Sequence, residues 1–156
     1  MPDAFHDHAH DHDACQDDAI ARAEALCRER GARLTNLRRR VLELVWERHR
    51  PMGAYDILEI LRAERGGAAP PTVYRALEFL LAHGLVHRIE SLNAYVGCSG
   101  PDEKHGAQFL ICRRCGDVAE LSDRAIDKAI DASAAKTGFA VDRATIEIEG
   151  LCPHCA

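Results

Sequence analysis

Apolar residues recur at helical spacing through the first half of the chain and at strand spacing through much of the second. Residues from about Asp17 to Arg30 read as a first helix. Thr35 is placed to cap a second, whose apolar face is Leu37, Val41, Leu44 and Val45, and Ala54, Ile57, Leu58 and Leu61 mark a third. Gly66-Gly67-Ala68-Ala69 breaks the pattern. Pro70-Pro71 then opens a fourth helix with Val73, Leu77, Leu80 and Leu81 on one face, ending at Gly84. Leu85 to Ile89 and Tyr95 to Cys98, joined through Ser91-Leu92-Asn93-Ala94, predict a two-stranded hairpin.

After Lys104 the pattern changes. It predicts a strand over about Ala107 to Ile111, a second over Val118 to Leu121, a helix from Ser122 to Lys136 closed by Thr137-Gly138, and a last strand turning Ile146 and Ile148 inward. The expected fold is α+β, with a winged helix-turn-helix domain over residues 16–98, a linker over 99–106 and a small α/β domain over 107–156. Fewer than 60 residues make a marginal core, so this second domain is expected to need metal and a partner subunit. The alternation in Thr145-Ile146-Glu147-Ile148-Glu149 predicts a strand edge able to pair across a two-fold axis.

Charge divides the chain in the same way. The net charge is -5, but residues 1–15 carry four Asp and no Lys or Arg, residues 16–90 carry 13 basic and 11 acidic side chains, and residues 91–156 carry 7 basic and 10 acidic. Only the middle is basic. Arg28, Arg30, Arg33, Arg38, Arg39 and Arg40 crowd one stretch there, as a phosphate-facing surface or as a solvated helix face. In a winged helix the fourth helix enters the major groove, presenting Thr72, Tyr74 and Arg75. The competing reading packs Tyr74 inside and pairs Arg75 with Glu78. The run His6-Asp7-His8-Ala9-His10-Asp11-His12-Asp13 belongs to a tail, residues 1–15, expected to be disordered.

The chemistry lies in seven cysteines. Cys112, Cys115, Cys152 and Cys155 form two Cys-x-x-Cys pairs 36 residues apart, each after an expected strand, as zinc knuckles require. Disulfides are the alternative. No apolar run of signal-peptide or membrane-spanning length speaks for export, so a reducing cytoplasm and metal ligation are expected. His87, Cys98, His105 and Glu120 supply one thiolate, two imidazoles and one carboxylate, a donor set for a second tetrahedral site. Read singly they are a strand histidine, a core cysteine, a linker histidine and a solvated glutamate.

These residues carry a resemblance. Arg33-Leu34-Thr35 with Arg38, Ala54-Tyr55-Asp56-Ile57-Leu58, Pro71-Thr72-Val73-Tyr74-Arg75-Ala76-Leu77, Gly84-Leu85-Val86-His87 and both cysteine pairs resemble the ferric uptake regulator family, and within it the zinc uptake regulators, over about residues 16–155. The resemblance implies a homodimeric, metal-dependent repressor of zinc uptake genes on double-stranded operator DNA, with one or two dimers per operator. It implies two Zn2+ per chain, structural at Cys112, Cys115, Cys152 and Cys155 and regulatory at His87, Cys98, His105 and Glu120. DNA contacts then fall on Tyr55 and Arg75 with Tyr74 beside them; from the basic run, and not from the resemblance, Arg38 and Arg39 are expected on phosphates. Iron-responding members carry a histidine-rich run before the first pair, whereas Ser99 to Gln108 offers only His105. Iron-, manganese- or peroxide-responsive relatives are the alternative within the family. A small zinc enzyme, with Glu120 activating water, is the alternative outside it, though no pocket for a small-molecule substrate is legible.

Overall fold

A computed structural model describes Phe5 and residues 12–48, 50–102 and 106–156. The His/Asp run as far as Asp11 and the linker residue His105 lie outside the described residues. The chain divides into two compact units, His6–Asp102 and Glu103–Ala156.

The first unit holds four helices and a hairpin: α1 (His12–Glu29), α2 (Asn36–Trp46), α3 (Ala54–Arg65), α4 (Pro70–Ala82), β1 (Val86–Ile89) and β2 (Ala94–Gly97). Helix α1 begins five residues before the expected Asp17, so His12 and Asp13 are helical and not part of a disordered tail. Asp13 in the first turn complements the helix dipole, and the Gln16 side chain donates to the Glu43 carbonyl at 2.8 Å, anchoring that turn on α2. Thr35 caps α2: its backbone is extended and its hydroxyl accepts from the Arg38 N–H at 3.3 Å. Helix α4 starts with two prolines that need no intrahelical donor. It ends in a Schellman motif around Gly84, at φ +67°, with Gly84 N–H on the Leu81 carbonyl at 3.0 Å and Leu85 N–H on the Leu80 carbonyl at 2.9 Å. That turn launches the hairpin directly from the helix.

The core is continuous. Val41, Leu42, Leu44 and Val45 of α2 meet Ile57, Leu58 and Leu61 of α3, Val73, Ala76, Leu77 and Leu80 of α4, and Ile20, Ala23, Leu26 and Cys27 of α1. Strand β1 pairs antiparallel with β2 from Val86↔Gly97 to Ile89↔Ala94, so Ala94 opens the strand and is not part of the loop. Met52 and Tyr95 exchange backbone hydrogen bonds of 3.0 and 2.9 Å, adding the chain before α3 as a short third partner.

The second unit is a three-stranded sheet in the order β4-β3-β5, with β3 (Ala107–Cys112) antiparallel to β4 (Val118–Leu121) and parallel to β5 (Thr145–Gly150). Helix α5 (Arg124–Ala135) makes the crossover. It starts two residues later than the sequence pattern predicts, because Asp123 is extended and its carboxylate caps the Ala125 N–H at 2.8 Å. Buried Gln108 ties β3 to α5 by donating to the Asp123 carbonyl at 3.0 Å and to Asp127 Oδ1 at 2.7 Å. Phe109, Ile111 and Ala119 are buried, but α5 has no buried residue. The expected inward turn of Ile146 and Ile148 is corrected: Ile146 is half-buried and Ile148 is 43% exposed. Alternation along β5 is real, but alternation assigns a face, and this unit supplies too few layers to cover that face at an edge strand.

Candidate metal centres and nucleic-acid face

The cysteine pairs sit where two strands end. Cys112 closes β3, and the chain turns so that Gly116, at φ +79°, donates to the Cys112 carbonyl at 2.9 Å while the Cys112 N–H bonds the Asp117 carbonyl at 2.9 Å. The second pair follows β5, where the Cys155 and Ala156 N–H groups donate to the Cys152 carbonyl at 2.9 and 3.0 Å. Arg114 reaches across to the Cys155 carbonyl at 2.9 Å. The parallel pairing of β3 with β5, through Cys112↔Gly150, is what brings residues 40 apart to one point.

All four sulfurs lie within 4.8 Å of one another, and Cys115 Sγ stands 3.8 Å from Cys152 Sγ. A tetrahedron with Zn–S bonds of about 2.3 Å has edges of about 3.8 Å, so the cluster fits a zinc ion. No disulfide joins any of the seven cysteines. Backbone N–H groups of Cys115 and Cys152 point at Cys112 and hold its thiol down at about 6; that from Cys152 lies 3.4 Å from the sulfur. The Asp117 N–H lowers Cys115, but burial and the three neighbouring sulfurs outweigh it and push that thiol up to about 12. Its neighbour Cys152 and burial raise Cys155. One thiolate is thus stabilised beside two groups that keep their protons, an arrangement a divalent cation would complete.

In the first unit, half-buried His87 on β1 and buried Cys98, just past β2, bring an imidazole nitrogen and a sulfur within 4.8 Å. The Cys98 N–H donates to the Leu85 carbonyl at 3.0 Å, one residue beyond the last hairpin pair, Val86↔Gly97. Glu120 is half-buried on β4 of the second unit.

On α4, Thr72, Tyr74 and Arg75 face outward while Val73, Ala76 and Leu77 face the core. Tyr74 is not packed inside, and Arg75 makes no hydrogen bond or ion pair among the described residues, so the possible pair with Glu78 is not made. Tyr55, in the first turn of α3, is 70% exposed and shares a shallow groove with Pro70, Val73 and Tyr74. Arg75 and Thr72 line a second concavity with Thr35 and Arg38.

The arginine run, read as a phosphate-facing surface or a solvated helix face, makes contacts within the first unit. The Arg38 guanidinium lies 3.7 Å over the Phe79 ring and donates to the Arg33 carbonyl at 2.7 Å. Arg39 pairs with Glu24 and, at 3.2 Å, with Glu43. Arg40 pairs with Glu43 at 3.2 Å, Glu47 at 3.3 Å and Glu64 at 3.0 Å. Arg39 and Arg40 therefore staple α2 to α1 and α3. Sequence reasoning missed this because the carboxylates come from α1 and α3, far away in the chain. It also passed over Trp46, whose indole lies on Gly97, the residue before Cys98; a glycine inside a strand pattern was the available signal.

The ferric uptake regulator family model matches residues 29–149. The zinc uptake regulation protein of Escherichia coli is 44% identical over 137 residues, 87% of this chain and 80% of that protein. Among solved structures, a zinc uptake regulator complexed with zinc and DNA superposes with a TM-score of 0.85 at 42% identity, covering 89% of this chain and 93% of the other. The crystal structure of holo XcZur superposes at 0.80 with 43% identity, covering 86% and 94%.

Proposed function

Because the chain belongs to the ferric uptake regulator family, we propose that it is a zinc-responsive transcriptional repressor that binds operator DNA as a homodimer and controls zinc uptake genes. The observation that carries the metal assignment is the His87–Cys98 pair inside the winged-helix unit. A thiolate in a regulatory site favours zinc over the harder Fe(II) and Mn(II). Placed on the unit that presents α4, it puts a metal-dependent restraint where DNA is read.

In this reading His87, Cys98, His105 and Glu120 hold the regulatory zinc, and one thiolate with one carboxylate balances the dication. Cys112, Cys115, Cys152 and Cys155 hold the structural one, giving two per chain. Both sites then have four protein donors and no open coordination position, so neither activates water, and the protein is a regulator, not an enzyme. Residues 16–98 bind DNA, residues 99–106 link, and residues 107–156 dimerise. Such a repressor works in the cytoplasm. Arg75 and Tyr74 read base edges, Tyr55 and Thr72 flank them, and Arg38 and Arg39 contact phosphates, Arg39 more weakly because two carboxylates already share its charge.

Coupling must be reciprocal: operator DNA tightens regulatory zinc binding by the factor by which zinc tightens operator binding. Zinc stoichiometry measured beside operator binding, across a chelator series, tests the proposal. The expected result is two zinc per chain in the DNA-binding form, with loss of the weaker zinc abolishing operator binding while the dimer persists. Operator binding indifferent to the weaker zinc, or supported equally by Fe(II), overturns it.

A further inference from the structure

Trp46 is the only tryptophan of the chain and ends α2, the helix that packs on α4. Its indole covers the backbone of Gly97 so closely that a Cβ there would stand 2.1 Å from Cε2 and 2.4 Å from Nε1. No side chain fits that space, so the residue directly before Cys98 must be glycine for the contact to exist. The demand is steric, since Gly97 is not among the glycines of positive φ.

The Cys98 segment is held on three sides. Its N–H bonds the Leu85 carbonyl at 3.0 Å, the Ser99 carbonyl accepts from Arg22 Nη1 of α1 at 2.9 Å, and the indole presses on Gly97. Trp46, Arg22 and Cys98 also line one cavity of about 200 Å³. Cys98 lies past the last ladder pair, Val86↔Gly97, so strand pairing alone does not fix it.

We propose that Trp46 is the positioning residue of the Cys98 thiolate: by clamping Gly97 it holds Cys98 against His87 in ligating geometry and ties that ligand to α2, and through α2 to α4. This rests on the regulatory site read above. A ligand displaced by a fraction of an ångström loses bond strength, and partners that orient metal ligands are typically worth about 10–100-fold in affinity.

The test uses the full-length dimer with its four-cysteine site filled by zinc, while buffered zinc or cobalt(II) titrates the weaker site. Trp46 emission and the thiolate-to-cobalt charge-transfer band are the readouts. In the wild type both change as the site fills, and Cys98→Ser removes both changes. Trp46→Ala and Gly97→Ala should each weaken this site about 10–100-fold and alter the cobalt band, with four-cysteine zinc retained. Trp46→Phe, which keeps a ring over Gly97, should stay near wild type. The double variant Trp46→Ala/Gly97→Ala should bind no worse than Trp46→Ala alone, because the added methyl enters the space the indole left. Wild-type affinity in Trp46→Ala, or multiplicative losses in the double variant, overturns the positioning role while Cys98→Ser still abolishes binding. A Cys98→Ser protein that fills the weaker site normally overturns the regulatory-site reading itself.

Discussion

The two units are stabilised by different means. The first buries side chains from four helices and a hairpin in one cluster, with Val41, Leu44, Ile57, Leu61 and Leu80 wholly removed from water. Among the described residues the second has only Phe109, Ile111 and Ala119 as buried apolar side chains besides Cys112 and Cys152, a helix with no buried residue, and Phe139 and Ile148 open to solvent at 66% and 43%. Hydrophobic burial rises with the size of the folding unit, so the larger one draws on its core while the smaller leans on its sulfur cluster. On the function proposed above, the DNA-reading surface belongs to the better-buried part.

Removing the sulfur cluster should have the largest effect and separate the units most cleanly. Cys112→Ser or Cys155→Ser should lose one zinc and unfold the second unit, since structural zinc supplies on the order of 10–16 kcal/mol in small zinc domains. Helical circular dichroism from the first unit should persist. A Cys112→Ser protein with full zinc content and an intact dimer would refute the division. Acid should mimic the change. Cys115 and Cys155 must give up protons to bind metal, so affinity falls as pH falls, and falls more steeply once Cys112 also protonates below about 6. Zinc release followed by a chromophoric chelator between neutral and acid pH checks the direction.

Truncating the first unit's core should produce the opposite pattern. Leu77→Ala should cost about 2–5 kcal/mol in urea unfolding of that unit and leave the four-cysteine zinc in place. Equal destabilisation of both units would show that they unfold as one.

A smaller effect is expected at the DNA face. Arg75→Ala should cost about 1–3 kcal/mol on the specific operator and flatten discrimination at one base, whereas Arg39→Ala should weaken all duplexes alike and slightly. Equal losses on operator and scrambled duplex for Arg75→Ala would reduce Arg75 to a phosphate contact.

The smallest effect is expected at the exposed staple. Hydrogen bonding from Arg40 holds the Glu64 carboxyl below its usual range, so its contribution is present at neutral pH and is lost as pH falls through that lowered value. Glu64→Gln should differ slightly from wild type in urea midpoint at pH 7 and not at all in strong acid. A difference that grows on acidification would assign the staple another role.

What was legible in the chain was local. Thr35 caps α2 through the residue three positions on, the two prolines set the start of α4, Gly84 sets its end, and knuckle spacing announces four sulfurs at one point, because each depends on neighbours within a turn or on a metal that imposes its own geometry. What only the tertiary structure decided involved groups distant in sequence. Within the arginine run, Arg39 and Arg40 became staples once α1 and α3 delivered Glu24 and Glu64 to them. Ile148 had the right alternation and the wrong exposure, since a strand's pattern names a face but not what covers it. His87 lies on the hairpin and Cys98 just beyond it, and the indole of Trp46 reaches Gly97 across more than 50 residues. Periodicity records which way a side chain points; only packing fixes what it meets there.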